Sequence, residues 1–203
     1  MAHASTMLAL GTPAPTFTLP AVTGGRHVSL GDFSDSKVVV IVFLCAHCPY
    51  VVHVVPELAR IAREYTPRGV TFLGITSNDI EQYPGDAPAP TAAMARTAGL
   101  DFPILYDETQ AVAHAYAAAC TPDFYVFDAA RHLAYRGQMD NSRPSRGEDR
   151  PGVGKLDGAD LRGAIQALLD GQPVSSHQRP SIGCNIKWKP GNEPQWFFTG
   201  SPK

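Results

Sequence analysis

Cys45 and Cys48 are separated by two residues, Ala46 and His47, and are followed at once by Pro49. A cysteine sulfur is a nucleophile only as its thiolate. The two-residue spacer lets one sulfur reach the other, so the pair can cycle between dithiol and disulfide. The elements on either side explain why a thiolate would form here. Val38 to Leu44 (VVVIVFL) is a run of seven apolar, mostly β-branched residues, the pattern of a strand buried on both faces. Pro49 suits a first helical turn, and Val51, Val52, Val55, Leu58, Ala59 and Ala62 continue a helical stripe to about Tyr65. The cysteines therefore fall at a strand C-terminus and a helix N-terminus, where free amide N–H groups and the helix dipole favour an anion. The pattern predicts a redox site.

The composition fits such a protein. A chain of 203 residues with 44% hydrophobic and 18% charged residues can build one domain with a core. A net charge of −2 gives no footprint for nucleic acid or an anionic membrane, and the longest apolar run is too short to span a bilayer. Met1 to Gly11 lacks the basic and hydrophobic regions of a signal peptide. Four cysteines with a single close pair do not make a disulfide scaffold. The expected location is cytoplasmic, where a close cysteine pair is catalytic or metal-binding before it is structural.

Along the chain, Thr12 to Pro20 and His27 to Leu30 read as a β-hairpin around Thr23-Gly24-Gly25. Val70 to Thr76 (VTFLGIT) is a second buried strand, and Ser77 to Pro90, with three prolines, reads as loop. A helix capped by Thr91 runs to Ala98, Phe102 to Tyr106 is extended, and Thr109 to Ala119 is helical by composition. Phe124 to Phe127 and His132 to Arg136 form a hairpin, Gln138 to Gly158 is a charged loop, and Asp160 to Leu169 is a final amphipathic helix. A kink is expected near Val52, because Pro56 lies inside the first helix. The expected organisation is a flexible N-terminus (1–12), one α/β domain around a mixed sheet (13–171), and an irregular C-terminal extension (172–203). Trp188, Trp196, Phe197 and Phe198 argue that the extension packs on the domain.

Three stretches carry a family resemblance: Cys45-Ala46-His47-Cys48-Pro49-Tyr50-Val51, Asp107 to Gln110 with Cys120-Thr121-Pro122-Asp123-Phe124, and Ile182 to Trp188. From about Pro13 to Lys189 the chain resembles the thioredoxin-fold superfamily, and within it the peroxiredoxin-like branch of the redoxin proteins. The resemblance implies a thioredoxin-like fold with a cis bond between Thr121 and Pro122, in a loop facing the cysteines. It also implies that the Thr121 backbone pairs with an extended substrate segment. Cys45 would be the exposed nucleophile, with a depressed pKa aided by His47, and Cys48 would resolve the mixed disulfide. Two departures stand out: Leu44 replaces the usual aromatic before the first cysteine, and Val39 stands where thioredoxins bury an aspartate.

A peroxiredoxin-like mechanism would instead make Cys48 the peroxidatic sulfur. In that family's pattern Ile41 takes the proline place and Cys45 the threonine place, and no arginine precedes Phe124. Without hydroxyl and guanidinium the peroxide bond loses its charge stabilisation. The expected activity is therefore thiol–disulfide exchange, with thiol peroxidase as one alternative and zinc or copper binding by Cys45 and Cys48 as another. The expected partners are a disulfide-bearing protein or small molecule and a reductase or thiol pool as electron source. No cofactor and no resident metal are expected. Cys120 and Cys184 are each either an additional redox sulfur or a packing residue. Arg136, Arg143, Arg146 and Arg150, offset by Asp140, Glu148 and Asp149, read as a solvated loop, and His53, His114 and His132 as ordinary residues.

Overall fold

The computed structural model describes residues 2–145, 147–149 and 151–199; Arg146 and Arg150 lie outside them. In chain order the elements are β1 (Ala2–Ala4), β2 (Thr18–Pro20), β3 (His27–Ser29), β4 (Val38–Phe43), α1 (Pro49–Tyr65), β5 (Val70–Thr76), α2 (Pro88–Ala98), β6 (Ile104–Tyr106), α3 (Ala111–Ala115), β7 (Cys120–Thr121), β8 (Asp123–Phe127), β9 (Leu133–Gly137), α4 (Ala159–Leu169), β10 (Ile182–Asn185) and α5 (Gln195–Thr199). The central sheet has the order β6-β5-β4-β8-β9. β4 is parallel to β5 and antiparallel to β8, so the sheet is mixed.

β4 is the middle strand, and all six of its residues are buried. Alternation assigns its side chains to two cores. Val38, Val40 and Val42 pack with α1 and α4 through Val51, Val55, Leu58, Leu161 and Ile165. Val39, Ile41 and Phe43 pack with α3 and the C-terminal segment through Val112, Tyr116 and Trp188. This doubly covered central strand ends just before Cys45, so the site rests on a fully buried strand. The thioredoxin-like α/β architecture expected from the sequence is the one observed.

Some local expectations change. Residues 2–4, expected to be a flexible lead, form β1 and pair with β10. The extension after residue 171 is not wholly irregular, because β10 joins β1 to β7 in a small antiparallel sheet. α2 starts at Pro88, and Thr91 lies inside it, donating its hydroxyl to Asp86 O (3.1 Å) rather than capping. The alanine-rich Thr109 to Ala119 keeps only one short helix: Gln110 and Ala117 take left-handed φ values of 64° and 49° and turn the chain toward β7. Helix propensity is a weak prior that tertiary packing overrides here. α1 is one helix through Pro56.

Candidate active site

Cys48 is the extended residue that caps α1, with Pro49 in the first helical position, and Cys45 sits between β4 and that cap. Both side chains are buried, at 1% and 0% exposure. Across from them the bond between Thr121 and Pro122 is cis, as expected. Thr121 touches both sulfurs: its Oγ1 is 3.3 Å from Cys45 Sγ, and its carbonyl oxygen accepts from the protonated Cys48 thiol at 3.2 Å. One residue of the cis-proline loop thus gathers the two thiols at a single point.

The loop between the cysteines is held by Asp86, which is fully buried. Its Oδ1 accepts the amides of Ala46 (2.9 Å) and His47 (3.3 Å). Its Oδ2 accepts Asn78 Nδ2 (2.7 Å) and lies 2.7 Å from His47 Nδ1. The His47 ring also stacks on Tyr83, with ring planes 4° apart. Sequence reasoning missed Asp86, Asn78 and Tyr83, because the proline-containing loop that carries them has no periodic signal.

The interactions among the sulfurs reverse the expected electrostatics. His47 is paired with Asp86, and its ring shares one cluster of donor atoms with Cys45. The Cys45 thiol is pushed up because it donates to Cys48, and burial and the Asp86 carboxylate act in the same direction. Cys48 is held well below the ordinary thiol range, first by the Cys184 thiol, then by that of Cys45. The backbone amide of Val51, in the first turn of α1, adds to this against the cost of burial. The expectation of an exposed, low-pKa Cys45 is therefore corrected: neither sulfur is exposed, and the thiolate is best accommodated at Cys48.

The other sulfurs separate clearly. Cys184 lies opposite Thr121 in the β7–β10 ladder, is only partly buried, and is pushed up because its thiol donates to Cys48. Cys120 is fully buried, and burial raises it well above the ordinary value, the state of a packing residue. The Thr121 backbone, expected to pair with a substrate strand, already pairs with β10 of the same chain. Val39 leaves no carboxylate on β4, yet a buried carboxyl is present on the neighbouring strand. Asp123, opposite Phe43, is fully buried and pushed up to about 7 by desolvation. Its Oδ2 accepts from Tyr125 Oη (3.0 Å), while Oδ1 has no hydrogen-bond partner.

Donor atoms of Cys45, His47 and Asp86 lie within 4.8 Å of one another, the only such group of three among the described residues. A carboxylate offers about four lone-pair sites. Those of Asp86 already meet two backbone amides, Asn78 and His47. A metal would have to break the contacts that shape the loop, so these residues do not fit one. The arginines of the charged loop point elsewhere: Arg136 to Gln178 and Leu8 O, Arg143 to Gln138 and Ser142 O. Among the described residues no helix is long and apolar enough to cross a membrane.

A strand-to-helix dithiol facing a cis-proline loop on a mixed sheet invites comparison with known proteins. An uncharacterized conserved protein of Geobacillus kaustophilus superposes with a TM-score of 0.87 at 50% identity, over 94% of this chain and 98% of that one. A thioredoxin-family thiol:disulfide interchange protein of Chlorobium tepidum shares the fold at a TM-score of 0.59 and 20% identity, over 79% of this chain and 98% of that one. A Mycobacterium tuberculosis protein provisionally named a peroxiredoxin is 30% identical over 114 residues, 56% of this chain and 67% of the relative. Residues 9–155, which hold the strand, the cysteine pair, the Asp86 loop and the cis-proline, match the redoxin family, and the chain belongs to it.

Proposed function

We propose that this redoxin is a thiol–disulfide oxidoreductase whose working centre is the Cys45–Cys48 pair. The observation that carries the reading is the convergence of both sulfurs on Thr121, one on its hydroxyl and one on its carbonyl. Oxidation breaks two S–H bonds and forms one S–S bond. The two electrons and two protons convert an external disulfide, R–S–S–R, into two thiols, and the reverse reaction regenerates the dithiol. Cys48, the sulfur that carries the anion, attacks the external disulfide, and Cys45 resolves the mixed disulfide that results. The substrate is a disulfide-bearing protein or small molecule, and a thiol pool or reductase supplies the electrons.

Peroxidase chemistry is the weaker reading. Cys48 has the thiolate character it requires, but the nearby hydroxyl, that of Thr121, lies on Cys45, and the contacts of Arg136 and Arg143 lead to other segments. The test is oxidation of the reduced protein with diamide, disulfide mapping by mass spectrometry, and an insulin-reduction assay. A Cys45–Cys48 disulfide and loss of insulin reduction in Cys48→Ser to the uncatalysed background are expected. An oxidised protein that keeps both thiols free refutes the reading.

A further inference from the structure

Three thiols, not two, converge on the cis-proline loop. β10 runs antiparallel to β7 with Cys184 opposite Thr121, the residue that touches both Cys45 and Cys48. The approach is close enough that a Cβ on Gly183 would fall 1.9 Å from Thr121 O, so only glycine permits it. Cys184 thereby packs against the cluster that holds Cys45 and Cys48, and its thiol favours the Cys48 thiolate. The three sulfurs differ in access. Cys45 and Cys48 are closed off from solvent, whereas Cys184 stays partly exposed. Cys184 also lies beyond residues 9–155, the part of the chain that matches the redoxin family.

We propose that Cys184 is the sulfur through which external thiols reach the buried pair, by way of a second disulfide between Cys48 and Cys184. The proposal rests on the dithiol reading above and specifies its route. Starting from the Cys45–Cys48 disulfide, the Cys184 thiolate attacks Cys48 Sγ. The bond between Cys45 and Cys48 breaks, Cys45 leaves as a thiolate and takes up the proton that Cys184 gave up, and no net electrons move. An external thiol then attacks Cys184 Sγ, forming a mixed disulfide and releasing Cys48 as a thiolate. A second external thiol attacks the outer sulfur of that mixed disulfide, leaving as R–S–S–R and restoring Cys184. The two electrons come from the two external thiols. Cys48 is the leaving group of the outward step, and a thiolate of low pKa leaves fastest.

The β7–β10 pairing gives the route its geometry. The backbone of Thr121, where the family resemblance places a substrate strand, is occupied by a strand of this chain that brings its own sulfur. β10 is in this sense a tethered internal substrate.

The test uses the full chain and its Cys45→Ser and Cys184→Ser variants, with glutathione as the external thiol. Diamide oxidation of Cys45→Ser is expected to give a Cys48–Cys184 disulfide by peptide mapping. Cys184→Ser is expected to form the Cys45–Cys48 disulfide but to be reduced by glutathione about tenfold more slowly than wild type. The route is overturned if Cys45→Ser leaves Cys48 and Cys184 both open to iodoacetamide, or if Cys184→Ser is reduced at the wild-type rate. Either result leaves the dithiol reading intact provided the wild type still forms Cys45–Cys48. Absence of that bond in the wild type defeats the dithiol reading itself.

Discussion

Replacing Asp123 with Asn isolates the energetic cost of a buried carboxyl beside the cis-proline loop. Asp123 is fully buried on β8, and desolvation pushes it from the ordinary 3.8 to about 7, with one oxygen lacking a partner. The folded state therefore binds this proton more tightly than the unfolded chain. Below 3.8 both states hold the proton and the group has no effect on stability. Between 3.8 and about 7 only the unfolded chain releases it, and stability falls by about 1.4 kcal/mol per pH unit. Above about 7 both states are ionised and the full cost, on the order of 4 kcal/mol, is in place. Asn does not titrate, so any fixed cost of its amide cancels when two pH values are compared. Urea unfolding of the reduced proteins at pH 5 and pH 8 should show Asp123→Asn gaining about 2.5 kcal/mol on the wild type across that interval. A difference that stays within about 0.5 kcal/mol, or one that favours the wild type at the higher pH, refutes the account of Asp123 as a desolvated acid.

The site itself supports three further tests. Thiolate ultraviolet absorbance followed against pH in single Cys→Ser variants should show Cys48 ionising below the ordinary thiol range and Cys45 above it, with Cys48 moving up in Cys184→Ser as its first donor is lost; the opposite order removes Cys48 as the anionic sulfur. Asp86→Asn should let Cys45 ionise at lower pH. It should also cost about 1–3 kcal/mol in urea unfolding, since the carboxylate that accepts two loop amides, Asn78 and His47 is replaced by an amide; an unchanged Cys45 titration would show that Asp86 holds the loop without acting on the sulfur. Gly183→Ala should cost about 1–3 kcal/mol through its clash with the Thr121 carbonyl and should slow Cys48–Cys184 formation, whereas unchanged stability would mean that β10 yields without cost.

The amino-acid sequence by itself determined the scaffold of the site. A β-branched run, two cysteines with a two-residue spacer and a proline in the first helical position are local signals, and they place the sulfurs between β4 and α1. Thr121-Pro122 before an apolar strand was legible through the family resemblance, and its loop faces the pair. The partners of those sulfurs were decided only in the tertiary structure. Asp86 meets the Cys45–Cys48 loop across 40 residues of sequence, from a polar, proline-containing segment with no helix or strand period. It lies 2.7 Å from His47 and raises the Cys45 thiol further, after the hydrogen bond to Cys48 and burial. In the sequence Cys184 was open between a redox sulfur and a packing residue, because its place opposite Thr121 depends on β10 pressing a glycine against the Thr121 carbonyl. Local patterning encodes where a helix begins or a strand is buried, since both depend on neighbours in sequence. The ionisation of a thiol depends on whichever charges and donors the fold brings within a few ångströms, and those are set by packing between distant segments.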